Sequence, residues 1–354
     1  MPKKIAIVGA GVSGLAAAFR LSSGDNDIEV FEKSRGLSGR AASRSKNGTR
    51  YDYGANYFKV ESNELARLIF EDLPTDNLCR ITGDVGTFDK DGHFSEGDPT
   101  LNASAKWSYQ GGISTLGKLL ASVAELEVLQ TTQIVRIEKC LTKWDLVDDE
   151  GRRYEDYDAV LLTPPAPQTI DLLRASELGD EANPEQLIGA LSEAKYHSQF
   201  SVMMNFQGSV TMPGNSYALI NTDREHKLAW VSIENSKGGH VPKGESLLVA
   251  QMSPTWSVEH YDDPATEIIA QALKEVRAVV DSNLPDPLWS DTQRWRYAHP
   301  HTAVNHDEMR AASPPGVFIS GDALVGKGRI PGAIETGLEA ASLIEGYLSS
   351  GTIE

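Results

Sequence analysis

The period of the apolar positions changes several times along the chain. "KIAIV" (4–8) is a continuous β-branched run, which predicts a buried strand. An alanine-rich helical pattern follows in "GVSGLAAAFRL", and a second apolar run, "IEVFE", ends at Glu32. Together these predict a strand–helix–strand unit. "YDYGANYF" (51–58) reads as an aromatic-rich strand broken at Gly54 and Ala55, two residues small enough for a flat ring to approach. Gly111 and Gly112 precede an amphipathic helix in "WSYQGGISTLGKLLASVA". "LEVLQTTQIVRIEK" and "WDLVDDEGRRYEDYDAVLLTPPAPQ" predict two strands around an acidic turn, then a strand stopped by Pro164 and Pro165.

From about residue 167 the pattern shifts. "FSVMMNFQG", "LAWVSIENS" and "SLLVAQMSP" are apolar runs between loops and predict an antiparallel meander. "PATEIIAQALKEVRAVVDS" predicts a long amphipathic helix, and "SDTQRWRYAHP" a further strand. The C-terminal "GVFISGDALVGKGRIPGAIETGLEAASLIEGYL" reads as strand, glycine loop and long helix, with Pro331 in the helix's first turn.

The first strand–helix–strand unit carries the chemistry. Gly9-x-Gly11-x-x-Gly14 lies between strand and helix, and Glu32 ends the second strand. That is the context of a dinucleotide-binding turn. Gly9 allows the turn, Gly11 the approach of a pyrophosphate, Gly14 the close packing of helix on strand. Glu32 is placed to accept the ribose hydroxyls. Eight residues on, Arg40 can pair bidentately with pyrophosphate, which favours FAD over NAD as the tightly held dinucleotide. Lys33 and Arg35 read equally well as phosphate-facing or solvated. Asp322, after Gly321 at a strand end, can accept a ribityl hydroxyl. The helix start at Pro331 can face the flavin N1–C2=O edge.

Composition narrows the partners. The formal net charge is −17, which disfavours nucleic acid and anionic membrane surfaces. Two lysines and an apolar stretch also open many secretory signals, but the glycines at 9, 11 and 14 have a structural explanation here. Cys79 and Cys140 have no metal or disulfide spacing, which fits a reducing, cytoplasmic setting. No metal site and no hydrolase triad is legible. The histidines read as solvated or structural, His299 and His301 being those with a site reading, and Trp230, Trp256 and Trp295 read as core.

The spacing from Glu32 to Gly39-Arg40 resembles the second fingerprint of the flavin amine oxidase superfamily, with Ser38 in place of a glycine. "EKSRGLSGR", "YDYGANYF", "LAWVSIENSKGGH", "SPTWSVEHYDD", "RWRYAHP" and "SGDALVGKGRIPGAIETG" resemble, more narrowly, renalase-like flavoproteins. The resemblance implies an α/β fold (α+β overall). It would have a Rossmann-like FAD-binding domain (1–66, 105–166 and 300–354) and an inserted, mainly antiparallel substrate domain (67–104 and 167–299). It implies non-covalent FAD, and oxidation of 2- or 6-dihydro isomers of β-NAD(P)H to β-NAD(P)+ with O2 reduced to H2O2, by a monomer or dimer. Ser13, Glu32, Lys33, Arg40, Val135, Asp322 and Ile330 resemble FAD contacts, in a cofactor set completed by Gly9, Gly11, Gly14, Gly321 and Ala333. Asn56, Tyr57 and Arg329 resemble residues beside the substrate, Asn56 also being counted with the cofactor set and Tyr57 and Arg329 being the catalytic pair. Two departures stand out: Asn56 replaces the family's usual Gln, and the Asp322–Arg329 loop is one residue longer. An amine oxidase is the first alternative, although "GRIPGAIETG" lacks the aromatic such enzymes carry before the last helix. A FAD-dependent desaturase or isomerase is the second, and a non-catalytic flavin module the third.

Overall fold

The structure is a computed structural model describing residues 2–179 and 182–350. Lys3–Val8 is the middle of a five-stranded sheet, with Asn26–Glu32 and Glu127–Gln130 on one side and Ala159–Leu162 and Val317–Ile319 on the other. Every pairing in it is parallel. Side chains alternate between two cores, as a doubly covered sheet requires. Ile5, Ile7, Ala159 and Leu161 face one core with helices Val12–Leu21, Thr115–Val123 and Ile330–Ser350. Ala6, Val8, Val160 and Leu162 face the other.

That second core includes an antiparallel sheet of Ile134–Cys140, Lys143–Asp148 and Arg153–Tyr157. The sequence predicts three strands between residues 126 and 163 where the structure has five: Glu127–Gln130 separates to join the parallel sheet, and Arg153–Tyr157 is a strand of its own. Helices Ala166–Arg174 and Pro184–Ser192 also pack here through Ile170, Leu172, Leu187 and Leu191. The sequence assigns these helices to the substrate domain, yet their apolar faces lie on the core of the nucleotide sheet.

The larger sheet has seven strands, in the order Trp289–Pro300, Tyr196–Gln207, Glu245–Met252, Leu228–Ile233, Ala218–Asn221, Val85–Phe88 and Phe94–Ser95. It is not the simple meander expected. Tyr196–Gln207 sits between Glu245–Met252 and Trp289–Pro300, and Ala218–Asn221 pairs in parallel with Val85–Phe88. Phe200, Val202, Met204 and Phe206 pack towards helix Ala265–Val279. Met203, Leu247 and Val249 face the opposite way, onto Tyr51. This side of the sheet is therefore the one turned to the nucleotide unit.

A buried charge cluster fastens the two units. Lys237 Nζ lies 2.8 Å from Asp52 Oδ2 and 2.8 Å from Glu234 Oε1, and all three side chains are fully buried. Asp52 also accepts from Ile113 N (2.8 Å), Ser43 Oγ (2.7 Å) and Ser108 Oγ (3.0 Å). His240 Nδ1 is 2.8 Å from Glu234 Oε2 and Nε2 is 2.9 Å from the Tyr109 carbonyl oxygen. Both ring nitrogens face acceptors, so both must donate and the imidazole is cationic. Two anions and two cations then balance in a dry site. Asp52, Glu234 and His240 are close enough together to hold a metal ion, but the Lys237 ammonium already bridges the two carboxylates.

The pH dependence follows from this pairing. Burial opposes the charge on His240, but Glu234 and Asp52 outweigh it and raise its pKa. Its stabilisation is complete below the unfolded histidine value of about 6.5 and fades as pH rises through the folded value. Burial opposes the Asp52 carboxylate too, yet Lys237, His240 and the Ile113 N–H hold its pKa down. That contribution is complete above about pH 4 and fades as pH falls through the folded value. Lys237→Met should cost about 3–5 kcal/mol by stranding buried carboxylates, seen as a fall in melting temperature. The stability lost in His240→Gln should be largest near pH 5–6 and shrink at higher pH. A pH-independent loss contradicts the cationic assignment.

Candidate cofactor and active site

The Gly9–Gly14 turn separates three requirements. Gly9 has φ +104°, and a Cβ there would lie 2.5 Å from Thr163 Oγ1. A Cβ on Gly14 would meet the Gly9 carbonyl oxygen at 2.2 Å, so it is needed for packing. A Cβ on Gly11 would meet nothing within 4 Å. Its lack of a side chain serves no protein neighbour and leaves room for a ligand. Helix Val12–Leu21 begins at Gly11 with no side-chain cap and no acid in its first turn. Its free N–H groups and positive dipole end suit pyrophosphate.

Glu32 is buried at the end of its strand. One carboxylate oxygen accepts Ala10 N–H (2.9 Å) and the other Ser34 N–H (2.8 Å). Each oxygen keeps a lone pair for a ribose hydroxyl. Thr132 N bonds the Glu32 carbonyl (2.9 Å), bringing the next segment alongside. Val135 lies there at an irregularity between Ile134 and Arg136, where the register with the neighbouring strand shifts. Lys33 and Arg35 are exposed.

Arg40 faces inward. Its Nη2 donates to Asp322 Oδ1 (2.7 Å), and Nη1 donates to the carbonyls of Tyr297 (3.4 Å) and Ala298 (3.3 Å). Three of its five N–H donors are thus engaged, leaving two for a phosphate. Its own carbonyl accepts Ala55 N–H at 3.0 Å and would lie 2.0 Å from any Cβ on Gly54. Gly54 is small because of that carbonyl rather than for a flat ring. Ser38, at the glycine-like place of the fingerprint, has φ 84°, is fully buried, and its Oγ has no hydrogen-bond partner. Serine is accommodated in a conformation that glycine adopts without strain.

The C-terminal segment closes the cleft. Gly321 (φ +131°) and Asp322 are buried, and Asp322 also accepts from Tyr196 Oη (3.4 Å). Ser13 Oγ is 2.5 Å from Ser320 Oγ, so the hydroxyl ties the first helix to the residue after the last strand. Ile330 is buried at the start of the last helix, and Ala333 N bonds the Arg329 carbonyl (3.1 Å).

Arg329 is exposed just before the last helix, and Tyr57 is half-buried within electrostatic reach of it. Burial raises the Tyr57 phenol pKa, and Arg329 partly counters it. Burial lowers the His299 pKa; a backbone hydrogen bond at Pro300 and the Asp322 carboxylate oppose the fall, and Arg329 and Arg40 add to it. His299 is therefore a neutral imidazole beside the two arginines. Gly328 packs directly on it, since a Cβ on Gly328 would lie 2.2 Å from His299 Cβ. Asn56 is buried and donates to the Asp52 carbonyl (3.1 Å), so its amide is held by the charge cluster. Tyr57 joins Tyr217 and Trp230 in an aromatic wall, with ring centroids 6.1–6.3 Å apart. Trp230, read as core from sequence, is partly buried against the cluster of Ile81, Tyr217 and Ala218. Tyr217 and Tyr196 carried no signal in the sequence, because only sheet pairing brings them here.

Glu32→Ala and Arg40→Ala should purify with little bound flavin, read from the ratio of flavin to protein absorbance. Each loses charged hydrogen bonds of about 1.5–3 kcal/mol. Full flavin content in both would contradict the placement. Acid precipitation of the native protein should leave the yellow colour in the supernatant: Cys140 is exposed with its Sγ bonded to Asp145, and Cys79 neighbours the Lys237 cluster.

The comparisons agree with this geometry. Residues 7–73 match an NAD(P)-binding Rossmann-like domain, and residues 99–344 match flavin containing amine oxidoreductases. Coproporphyrinogen III oxidase of Mycobacterium leprae is 27% identical over 247 residues, covering 66% of this chain and 50% of that protein. The chain's match thus spans half the length of that relative. Mouse renalase (Mus musculus) is 20% identical over 360 residues, covering 98% and 99%. Among solved structures, a double mutant of putrescine oxidase superposes with TM-score 0.76 at 12% identity, covering 98% of this chain and 100% of that one, a likeness of fold alone. No helix among the described residues is long and apolar enough to cross a membrane. A flavin family with a dinucleotide-binding turn uses FAD, which the Gly11 opening, Glu32 and Arg40 fit. With its match covering most of its length, the chain belongs to the flavin-containing amine oxidoreductase family.

Proposed function

We propose that the protein is a FAD-dependent oxidase of renalase type, which oxidises 2- or 6-dihydro isomers of β-NAD(P)H to β-NAD(P)+ and reduces O2 to H2O2. The observation that carries this reading is the packing of Gly328 on His299, which sets the exposed Arg329 at the start of the last helix, on the side of Tyr57. A cationic amine would be repelled by that charge, whereas a carboxamide carbonyl or a phosphate would be bound by it. The last helix starts with "RIPGAI", so no aromatic stands there to flank an amine. FAD supplies hydride acceptance and electron delivery to O2.

The chain's own part is orientation. Tyr57 and Trp230 offer ring faces to a planar dihydropyridine, and Arg329 fixes its polar arm. No strong base is needed, because the product is an aromatic cation. The N-terminal end of helix Ile330–Ser350 favours negative charge in the cleft.

A second reading is porphyrinogen oxidation, favoured by the 27% identity to coproporphyrinogen III oxidase. The proposed domains remain those read from the sequence, with the helices at 166–192 moved to the nucleotide unit.

Anaerobic bleaching of the flavin should be fast with 6-dihydro-NAD, and slow with putrescine and coproporphyrinogen III. Faster bleaching by either of the latter overturns the reading. Arg329→Ala should keep its FAD and its midpoint potential but reduce flavin on the order of 10²-fold more slowly, as expected for a misplaced substrate. An unchanged rate would remove Arg329 from the site. A lowered potential, with every donor slowed alike, would make it a tuner of the flavin.

A further inference from the structure

Two amide side chains meet the chain segment that ends in Tyr57, and each is held in one orientation. Gln251 Nε2 donates to the Gly54 carbonyl at 2.9 Å, and Asn56 Nδ2 donates to the Asp52 carbonyl at 3.1 Å. A backbone carbonyl only accepts, so each NH2 group must face its carbonyl and each amide oxygen is turned elsewhere. Among the described residues, no hydrogen bond reaches Gln251 Oε1 or Asn56 Oδ1. Neither oxygen is sealed in the protein, as the unpartnered Trp230 indole nitrogen is. Both are therefore accessible acceptors that lack a protein donor.

The contacts that place these amides form a closed circuit. Gln251 stands opposite Trp230 in the antiparallel register, and residues paired in this way project from the same face. Strand alternation makes it the face of Leu247 and Val249, turned to the nucleotide unit. The Trp230 ring lies 6.1 Å from that of Tyr57 and 6.3 Å from that of Tyr217. Tyr217 Oη in turn donates to the Asn56 carbonyl at 3.4 Å, and the Gln251 bond to Gly54 completes the circuit. Neither amide can drift. Asn56 hangs from the fully buried Asp52, and Gly54 is pressed against the Arg40 carbonyl.

We infer that Gln251 and Asn56 form an acceptor pair that selects a primary carboxamide on a planar substrate over a carboxylate of the same shape. The inference rests on the reading of the Gly54–Tyr57 segment as the place where the substrate ring meets the flavin, and it makes Gln251 a specificity-determining residue. A primary carboxamide carries two N–H donors and one carbonyl acceptor. Its N–H groups meet the two amide oxygens, and its carbonyl is left for the Arg329 guanidinium. A carboxylate brings acceptors only. It would lose both bonds and set its lone pairs against two further acceptors, so the pair works by rejection as well as by attraction.

Binding to the oxidised holoenzyme, followed by perturbation of the flavin spectrum, tests the pair without turnover. NAD+ should bind at least about tenfold more tightly than its nicotinic acid analogue, in which a carboxylate replaces the carboxamide. Gln251→Met keeps the length of the side chain and removes the acceptor. It should retain its flavin and lose most of that preference. If Gln251 only pins Gly54, the variant weakens both ligands alike and their ratio stays as in the wild type, which would overturn the inference. A shifted flavin midpoint potential with an unchanged ratio would overturn it too, because the oxygen would then accept from the flavin. The wild-type comparison decides even where the variant fails to fold. Benzamide and benzoate repeat it without a nucleotide. If NAD+ does not bind but benzamide is preferred to benzoate, and Gln251→Met abolishes that preference, the acceptor pair stands and the proposed reaction falls. Equal affinities within both pairs, or a preference for the carboxylates, would refute the acceptor pair.

Discussion

Arg40 is the residue on which the geometry of the cleft depends. Its side chain joins the C-terminal segment, through Asp322, to the outer strand of the large sheet, through the Tyr297 and Ala298 carbonyls. Its backbone carbonyl receives Ala55 N–H and forces residue 54 to be glycine. One residue thus sets the approach of three segments distant in sequence. The Asp52–Lys237 cluster does the matching work on the other side of the cleft, where Asn56 hangs from the Asp52 carbonyl. The substrate end of the flavin site is framed by these two anchors.

The two anchors differ energetically. Arg40 is partly exposed, and its pair with Asp322 is open to competition from a phosphate. The Lys237 cluster is dry, so its charges hold together only as a complete set. The Arg40 pair can therefore rearrange at lower cost than the Lys237 cluster.

What could be read from the sequence follows the range of the interactions. Gly9, Gly11, Gly14 and Glu32 lie in one short unit whose spacing carries its meaning, so the parallel sheet's first layer and the dinucleotide turn were legible. The antiparallel strands were legible as strands, but not their order, because the pairing of Tyr196–Gln207 with both Glu245–Met252 and Trp289–Pro300 leaves no local mark. Lys237 carries no signal of its own in the sequence and His240 reads as solvated or structural, because the partner Asp52 is 185 positions from Lys237. Gly54 was legible as a constrained position for the wrong reason. Ser13 was assigned to the cofactor by analogy, and its hydroxyl turned out to serve Ser320. His299 carried only a weak signal beside "RWRY", and the loop at Gly328 that packs on it gives it its place.

The proposed function makes a neutral-to-anionic dihydropyridine the hydride donor. The most direct measurement is product stoichiometry in air with 6-dihydro-NAD as sole donor, quantifying β-NAD+ and H2O2 together. The account predicts one of each per dihydropyridine consumed. Consumption without β-NAD+, or H2O2 formed only when an amine or a porphyrinogen is supplied, would contradict it.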